Sequence, residues 1–255
     1  MRMILAVMYR EYRIRTTSFT WSFYDLLMPL IYLLLFGIGL NTAFSGGVVV
    51  QGTTLSYNAF FLAGVLSMAC FGIAINTSYG FFIDRDNGIF YEFLTYPMTR
   101  GEFLIGKILF NCLLSLVQSI ITITLGVALL DIPIRWELLW WTLFCIVVGT
   151  AGWFFFLTIF ALRIRRNDMF NAFLNVAYFV LLFASSLFYP LDGLPAWLRT
   201  CTYFNPLTWH TDVLRFATVG VGVIDVVLLE AAAFMVFLVI SFWFAVRTMN
   251  FVVVK

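Results

Sequence analysis

The fold is decided by LLWWTLFCIVVGTAGWFFFLTIFAL, residues 138–162, which contains no Asp, Glu, Lys or Arg. As a helix rising about 1.5 Å per residue, this stretch would reach roughly 37 Å, more than the roughly 30 Å hydrocarbon core of a bilayer. A surface helix of a soluble protein would instead alternate apolar and polar faces. We therefore interpret residues 138–162 as a membrane-spanning helix.

Other stretches of the 255-residue chain share this length and composition. The six predicted spans are 23–40, 59–83, 108–130, 138–162, 169–189 and 226–246. The chain is 63% hydrophobic and 11% charged, whereas soluble domains average roughly 45–50% and about 25%. In hydrocarbon, the edge of an open β-sheet has no hydrogen-bond partner, and the sequence lacks the alternation of apolar and polar residues typical of a β-barrel. The sequence therefore predicts an all-α, polytopic membrane protein forming a single domain over 1–255.

Basic residues are distributed unequally between the two sides of such a six-span protein. Twelve Lys and Arg fall on the side of the chain termini, and three fall on the other side. Because basic residues accumulate in cytoplasmic loops, we expect both termini in the cytoplasm and the protein in the cell's inner (cytoplasmic) membrane. The apolar run at residues 3–8 is shorter than the core of a secretory signal, so no cleavage is expected. A net charge of +2 gives no reason to expect a nucleic-acid partner.

The first fifteen residues have the pattern of an amphipathic helix lying in the cytoplasmic interface. Arg2, Arg10 and Arg13 would lie roughly opposite its apolar face. The apolar face comprises Met1, Ile4, Leu5, Met8 and Tyr12.

The segment 190–225 is apolar but broken by prolines, which predicts short helices dipping into the outer surface rather than a mobile loop. Asn205 is expected to cap the helix that Pro206 begins. His210 is assigned to the outer surface, and Asp25 and Glu230 are assigned to the membrane interface because they lie near span ends.

The loop between the second and third spans combines charged and apolar residues. Its charged residues are Asp84, Arg85, Asp86, Glu92, Arg100, Glu102 and Lys107. Between them, Ile89, Phe90, Phe93 and Leu94 recur at helix spacing. The pattern predicts an amphipathic helix with one face on lipid and the other toward a soluble partner; a plain solvated loop is the alternative.

Residues 101–108 nearly match a phosphate-binding loop, but the match fails on chemistry. Ile108 replaces the hydroxyl that binds magnesium, no buried strand precedes the segment, and it runs directly into a span. The four cysteines occur singly and the chain has one histidine, so neither a metal site nor intramembrane catalysis is expected. No ordered filter or charged ring of a channel is evident. We therefore expect a chain that is not an enzyme and binds no cofactor or metal.

The third predicted span has a polar face at helix spacing. Its members are Asn111, Ser115, Gln118 and Thr122. Polar groups avoid lipid, so this face either lines a substrate path or joins helices through hydrogen bonds. The pattern leaves both interpretations open.

Two longer motifs resemble the permeases of type-2 ATP-binding-cassette (ABC) exporters, which serve drug resistance, nodulation-factor and polysaccharide export. The first is Tyr91-Glu-Phe-Leu-Thr-Tyr-Pro97-Met-Thr-Arg100, leading into Gly106-Lys107. The second is Phe188-Tyr-Pro190-Leu-Asp-Gly-Leu-Pro195-Ala-Trp197, followed by Asn205-Pro206-Leu207-Thr-Trp209. Trp209 stands where that family usually has Tyr or another aromatic residue.

The resemblance implies a half-transporter that pairs with a second permease copy, as a homodimer, and with two cytoplasmic ABC ATPase subunits. ATP and magnesium would bind in those ATPases. The coupling region would be 84–100, extended to Glu102, with contacts from Asp84, Arg85, Asp86, Glu92, Pro97, Arg100 and Glu102. The outer gate would be 190–219, with Tyr189, Pro190, Leu191, Pro195, Trp197, Asn205, Pro206 and Leu207. The 19% aromatic content favours an amphiphilic, lipid-linked or glycan-type substrate; drug efflux within the same family, or a channel, are the alternatives.

Overall fold

The computed structural model describes residues 2–17, 19–44, 46–50, 52–93 and 95–252, which are mostly helical. The helices are α1 (Arg2–Thr17), α2 (Phe19–Ala43), α3 (Tyr57–Asp86), α4 (Ile89–Phe93), α5 (Arg100–Leu130), α6 (Leu139–Arg163), α7 (Asn167–Phe183), α8 (Ala196–Tyr203), α9 (Pro206–Val219) and α10 (Ile224–Val252). We refer to the two ends of the bundle as the α1 end and the α9 end.

A short antiparallel hairpin departs from the all-α prediction. Strands β1 (Val48–Val50) and β2 (Thr53–Leu55) pair between α2 and α3, with Val48 opposite Leu55. Gly47 enters β1 at φ +82°, and a Cβ there would lie 2.8 Å from the carbonyl oxygen of Leu55. The three consecutive valines suit a strand, and they lie beyond the helical spans.

Five helical segments of the described ranges are long and apolar enough to cross a membrane. They are Phe23–Ala43, Tyr57–Asp86, Arg100–Leu130, Trp136–Arg163 and Ile224–Asn250, and they contain five of the six predicted spans. The fifth predicted span, 169–189, corresponds to α7, which is apolar but has 17 residues, the lower limit of about 17 for a spanning helix. The count of six spans therefore stays a prediction.

The end of α7 at Phe183, before the predicted boundary at 189, is capped by a residue from a later part of the chain. Asn205 donates from Nδ2 to the carbonyl oxygens of Leu181 and Ala184, both at 2.7 Å. The last carbonyl groups of a helix lack intrahelical hydrogen-bond partners, and here the side-chain amide of Asn205 provides them. Residues 184–189 then leave the helix and lead toward α8.

Helix α3 is the centre of the bundle, buried over most of its length and packed against α2, α5, α6 and α9. Against α6, the Cys70 thiol lies 3.6 Å from the carbonyl oxygen of Ile146, and the rings of Phe71 and Trp153 are 4.5 Å apart. Gly64 allows the chain at Leu187 to approach, because a Cβ on Gly64 would lie 2.7 Å from the Leu187 carbonyl oxygen. Small residues and polar contacts of this kind hold helices together in lipid.

Helix α5 begins at Arg100, eight residues before the predicted span. Thr99 and Glu102 form a capping box, in which the Thr99 hydroxyl accepts from the Glu102 backbone at 3.2 Å and the Glu102 carboxylate accepts from the Thr99 backbone at 2.8 Å. The cap satisfies two of the free amides at the helix start. The segment that resembled a phosphate loop is consequently helical.

Helix α1 packs against α5. Val7 and Glu11 are buried, whereas Leu5 and Tyr12 of the predicted face are 51% and 45% exposed. The side of α1 that is buried against α5 is therefore centred on Val7 and Glu11, and the interfacial position of the predicted apolar face stays a prediction. Met1 lies outside the described residues.

We expect Gly106→Ala to lower the free energy of unfolding by about 1–3 kcal/mol, the usual cost of overpacking. The added Cβ would lie 2.8 Å from Val7 Cβ and 3.0 Å from the Ile4 carbonyl oxygen, so α1 has to move away from α5. Thermal unfolding in detergent measures the loss. Gly80→Ala is the control, since a Cβ there meets nothing within 4 Å; equal stability of the two variants would contradict the close approach.

Candidate functional site

Four buried or half-buried charges form an ion cluster at the α1 end. Lys107 on α5, 2% exposed, donates from Nζ to Glu11 of α1 and to Asp84 of α3, both at 2.8 Å. Arg10 donates to both oxygens of Asp84, at 2.6 and 3.0 Å, and lies 3.2 Å from Glu11. The charges balance, and the cluster joins three helices. Buried ions need such compensation, because leaving one unpaired costs about 3–5 kcal/mol.

Arg85, the next residue on α3, joins the same end to α6. Its guanidinium donates to the carbonyl oxygens of Ala161 and Ile164, the latter at 2.7 Å, and lies over the Phe82 ring at 4.6 Å. These carbonyls belong to the last turn of α6, where a cation is favourable. Asp84 and Arg85 were predicted to contact an ATPase, but the structure engages both inside the chain.

The loop after α3 keeps an exposed surface. The short helix α4 inserts Phe90 between Phe81 and Phe103, with ring centroids 5.5 and 5.9 Å apart. The five-residue α4 is far shorter than the predicted amphipathic helix, because Gly88 and the turn that follows α4 limit it. Leu94 lies outside the described residues.

The predicted coupling residues divide by exposure. Arg100 and Glu102 are half-buried at the start of α5. Asp86, Glu92 and Pro97 are exposed. These five remain accessible to a partner, and Phe90 anchors the loop between α3 and α5 to both helices.

A groove of about 730 Å³ lies between α2, α3 and α7. Its polar and aromatic lining residues are Tyr24, Asp25, Asn76, Tyr79, Asn171, Asn175 and Tyr178. The side chain of Asp25 is 7% exposed, accepts from Arg15 at 2.7 Å and also accepts from Asn76. The charge of Asp25 is therefore compensated within the protein, and its predicted interfacial depth stays a prediction. The groove presents amides and phenols rather than a net charge.

The polar face of α5 is enclosed by protein. Asn111, Ser115, Gln118 and Thr122 are each at most 1% exposed. Gln118 donates to the Asp25 carbonyl oxygen at 2.6 Å, and Thr150 of α6 donates to Ser115 at 3.0 Å. None of the four lines the groove. Their contacts support helix packing, and a place on a substrate path stays a prediction.

The predicted gate segment contains two helices, α8 and α9, of which α9 is largely buried. Asn205 accepts from the Leu207 amide at 2.9 Å, and Pro206 occupies the first turn, which confirms the predicted cap. Leu207 and Asn205 are buried, whereas Pro195 and Trp197 around the start of α8 are exposed. Tyr189, Pro190 and Leu191 are half-buried in the connection from α7.

Arg215 and Asp212 hold α9 to the rest of the bundle. Arg215, 3% exposed, pairs with Asp212, donates to the Ser186 carbonyl oxygen at 2.8 Å and lies 4.2 Å from the centroid of the Phe60 ring. Glu230 of α10 is buried at 8% exposure, and one of its oxygens has no hydrogen-bond partner among the described residues. Glu230 is therefore enclosed by protein, and its predicted interfacial depth stays a prediction.

His210 lies in the core, where the sequence predicted an outer-surface residue. Its Nδ1 is 2.7 Å from the Ser67 hydroxyl and its Nε2 is 3.0 Å from the Cys145 carbonyl oxygen. Burial lowers the pKa of His210 to about 4, so the ring is neutral at pH 7. A carbonyl only accepts, so Nε2 carries the proton and Nδ1 accepts from Ser67. Gly149 makes room for the ring.

The sequence analysis missed Glu11, Lys107 and Arg215 as structural ions. The available signal was a lone charge beside an apolar run, which in a membrane protein requires a partner. The identity of each partner depends on the packing of distant segments. Within the described residues, no group of three or more His, Cys, Asp or Glu is placed to hold a metal ion.

Comparison with known proteins identifies similar sequences. The family described as ABC-2 type transporter matches residues 3–219. A putative transport permease, ycf38, of Cyanophora paradoxa is 29% identical over 75% of this chain and 65% of its own length. The probable multidrug ABC transporter permease YbhR of Escherichia coli (strain K12) is 25% identical over 63% and 44%. The daunorubicin resistance ABC transporter permease protein DrrB1 of Streptomyces coeruleorubidus is 27% identical over 74% and 65%. The chain spans less than two thirds of the length of each.

We expect Lys107→Met to lower the free energy of unfolding by about 3–5 kcal/mol, because Glu11 and Asp84 each lose one of two cations and the cluster keeps a buried net negative charge. Denaturant unfolding in detergent micelles measures the change. Adding Glu11→Gln to Lys107→Met should recover part of it, since the uncompensated charge is removed.

Arg166→Met is the matched control for this prediction. Arg166 pairs with Asp168 at side-chain exposures of 71% and 64%, so its loss should change stability by less than about 0.5 kcal/mol. If the Lys107→Met and Arg166→Met variants are equally stable, the ion cluster contributes nothing to the free energy of unfolding.

Proposed function

The chain belongs to the ABC-2 type transporter family, and from this membership we propose that it is the transmembrane permease subunit of an ATP-driven exporter. Its substrate is amphiphilic, lipid-linked or of glycan type, and is moved out of the cytoplasm or the inner leaflet. The working unit is a homodimer of this chain with two cytoplasmic ABC ATPase subunits, which bind ATP and magnesium. Each chain crosses the inner membrane six times, with α7 as the fifth span and both termini in the cytoplasm.

The groove between α2, α3 and α7 is the observation that carries this proposal. It has a volume of about 730 Å³, within the usual range of small-molecule sites. Tyr24, Tyr79 and Tyr178 offer ring faces to an apolar or sugar surface, and Asn171 and Asn175 offer hydrogen bonds. Since Asp25 is already compensated, the lining suits a neutral amphiphile better than an inorganic ion.

The α1 end is proposed to transmit ATPase closure to the groove. A partner contacts the exposed residues Asp86, Glu92 and Pro97 at the α4 loop. Phe90 passes the motion to α3 and α5, and the ion cluster makes α1 move with them. Asp84 and Arg85 take part by holding helices together, not by touching the ATPase.

The α9 end is proposed as the exit gate, over residues 190–219. Helix α9 is buried, and its polar links to the bundle include those of His210 and Arg215 to α3 and those of its cap Asn205 to the end of α7. Opening requires these to separate while α8 stays exposed.

Drug efflux is the second candidate function. It is favoured by the names of two similar proteins, a probable multidrug permease and a daunorubicin resistance permease. Both candidates use the same groove and differ only in cargo.

We expect Asn175→Phe to lower transport about tenfold, the effect of roughly 1.4 kcal/mol, because the ring fills the groove from α7. Inside-out vesicles containing the chain and its copurified ATPase are supplied with ATP and either daunorubicin or a fluorescent glycolipid. The probe that accumulates decides between the two candidates. Val239→Phe, on an exposed face of α10, is the control. If neither probe accumulates in an ATP-dependent way, export of both substrate classes is refuted. If Asn175→Phe and Val239→Phe lower transport equally, the groove is not the substrate site.

We expect Glu92→Ala and Pro97→Ala to abolish most of the ATPase stimulation by substrate while leaving thermal unfolding unchanged, because both residues are exposed on the α4 loop. Phosphate release from the copurified complex measures coupling. Glu137→Ala, an exposed carboxylate at the α9 end, is the control. Normal stimulation in both loop variants would remove this loop from the coupling mechanism.

A further inference from the structure

A second hollow lies apart from the groove, between α6, α9 and α10 at the α9 end. It has a volume of about 320 Å³. Ala217, Ala231 and Ala232 line its walls, so small side chains leave space where α9 and α10 approach α6. Its lining among the described residues includes no charged, amide or hydroxyl side chain.

The floor of this hollow has no free side-chain hydrogen-bonding group for a water molecule. His210 lies there, but both of its ring nitrogens are engaged, by Ser67 and by the Cys145 carbonyl oxygen. A water molecule needs two to four polar partners to be stable in a cavity, and an apolar hollow stays dry. An occupant of this space has to be apolar.

The rim of the hollow is formed by exposed apolar residues. Trp141, Phe144 and Leu228 at its rim are 59%, 49% and 60% exposed. They belong to the two helical segments Trp136–Arg163 and Ile224–Asn250, which are long and apolar enough to span the membrane. The hollow therefore opens on the exposed apolar surface of these two segments, near their first turns.

A cation lies beside the mouth. Arg135 is exposed, precedes the lining residue Leu138 by three positions and makes no salt bridge among the described residues. Its backbone amide donates to the Thr218 carbonyl oxygen at 2.8 Å, and its side chain passes Gly220, where a Cβ would lie 2.5 Å away. The guanidinium is thus held at the end of α9. Arginine in this position complements a phosphate at headgroup depth.

We propose that the hollow between α6, α9 and α10 binds one acyl chain of a membrane phospholipid whose phosphate pairs with Arg135. The bound chain packs against Val213 and Phe216 of α9 and braces that helix against the two spans. This site is distinct from the groove of α2, α3 and α7, and the proposal does not depend on export.

Lipid retention tests the proposal directly. The chain is purified in mild detergent, and native mass spectrometry counts phospholipids that survive delipidation. We expect one per wild-type chain, lost in Ala231→Phe, which fills the hollow, and reduced at least several-fold in Arg135→Gln. Val239→Phe and Glu137→Gln are the controls, on an exposed α10 face and on the neighbouring exposed carboxylate; both should retain the lipid.

A second measurement needs no substitution. In vesicles of phosphatidylethanolamine and phosphatidylglycerol, a phospholipid with a diazirine on one acyl chain is photolysed, and the modified residues are mapped. Label concentrated at Val148 and Ala231 over Val239 and Ile240 supports the site. The proposal is overturned if the label is uniform over the lipid-exposed faces. It is also overturned if the wild-type chain retains no phospholipid or only detergent, or if a folded Ala231→Phe variant retains as much phospholipid as the wild type.

Discussion

Hydrocarbon provides no hydrogen-bond partner, and this constraint places the polar side chains of the bundle around α3. That helix is enclosed by α2, α5, α6 and α9, so its serines and charged end meet protein on the sides where lipid would leave them unsatisfied. Ser67 meets His210, Asp84 meets Lys107, and Arg85 meets the last carbonyls of α6. The outer helices can then present apolar faces to lipid.

The two ends of α3 therefore have different mechanical connections. At the α1 end, the ion cluster and Phe90 tie α1, α3 and α5 into one unit together with the exposed α4 loop. At the α9 end, Arg215 and Asn205 connect α9 to α3 and to the end of α7. Breaking a buried charge pair is costly, so motion at the first end is expected to be that of a rigid group.

Helix α7 occupies a special position between these ends. It contacts the bundle through residues such as Phe170 and Leu174, while Val176, Phe179 and Val180 are more than half exposed. Apolar exposure of this kind suits lipid or another helix. With α2 it forms the open side of the groove, which is where a second copy of the chain would complete an enclosed path in the proposed exporter.

The sequence by itself determined the helical, multi-pass class, the position of five spans and the Asn205–Pro206 cap, because these depend on local composition and on neighbours within a few residues. The tertiary structure alone decided which charges are structural. Glu11, Asp84 and Lys107 are separated by 73 and 23 positions along the chain yet share one cluster, and His210 and Glu230 are buried although each lies near a predicted surface. The short α7 and the packing of α1 on α5 also depend on distant segments: Asn205 reaches back to the carbonyls of α7, and Gly106 allows α1 to approach with Val7 and Glu11 turned inward. Periodicity shows that a helix has a face, but the partner of that face is set by the energy of burying charges and filling space between distant segments.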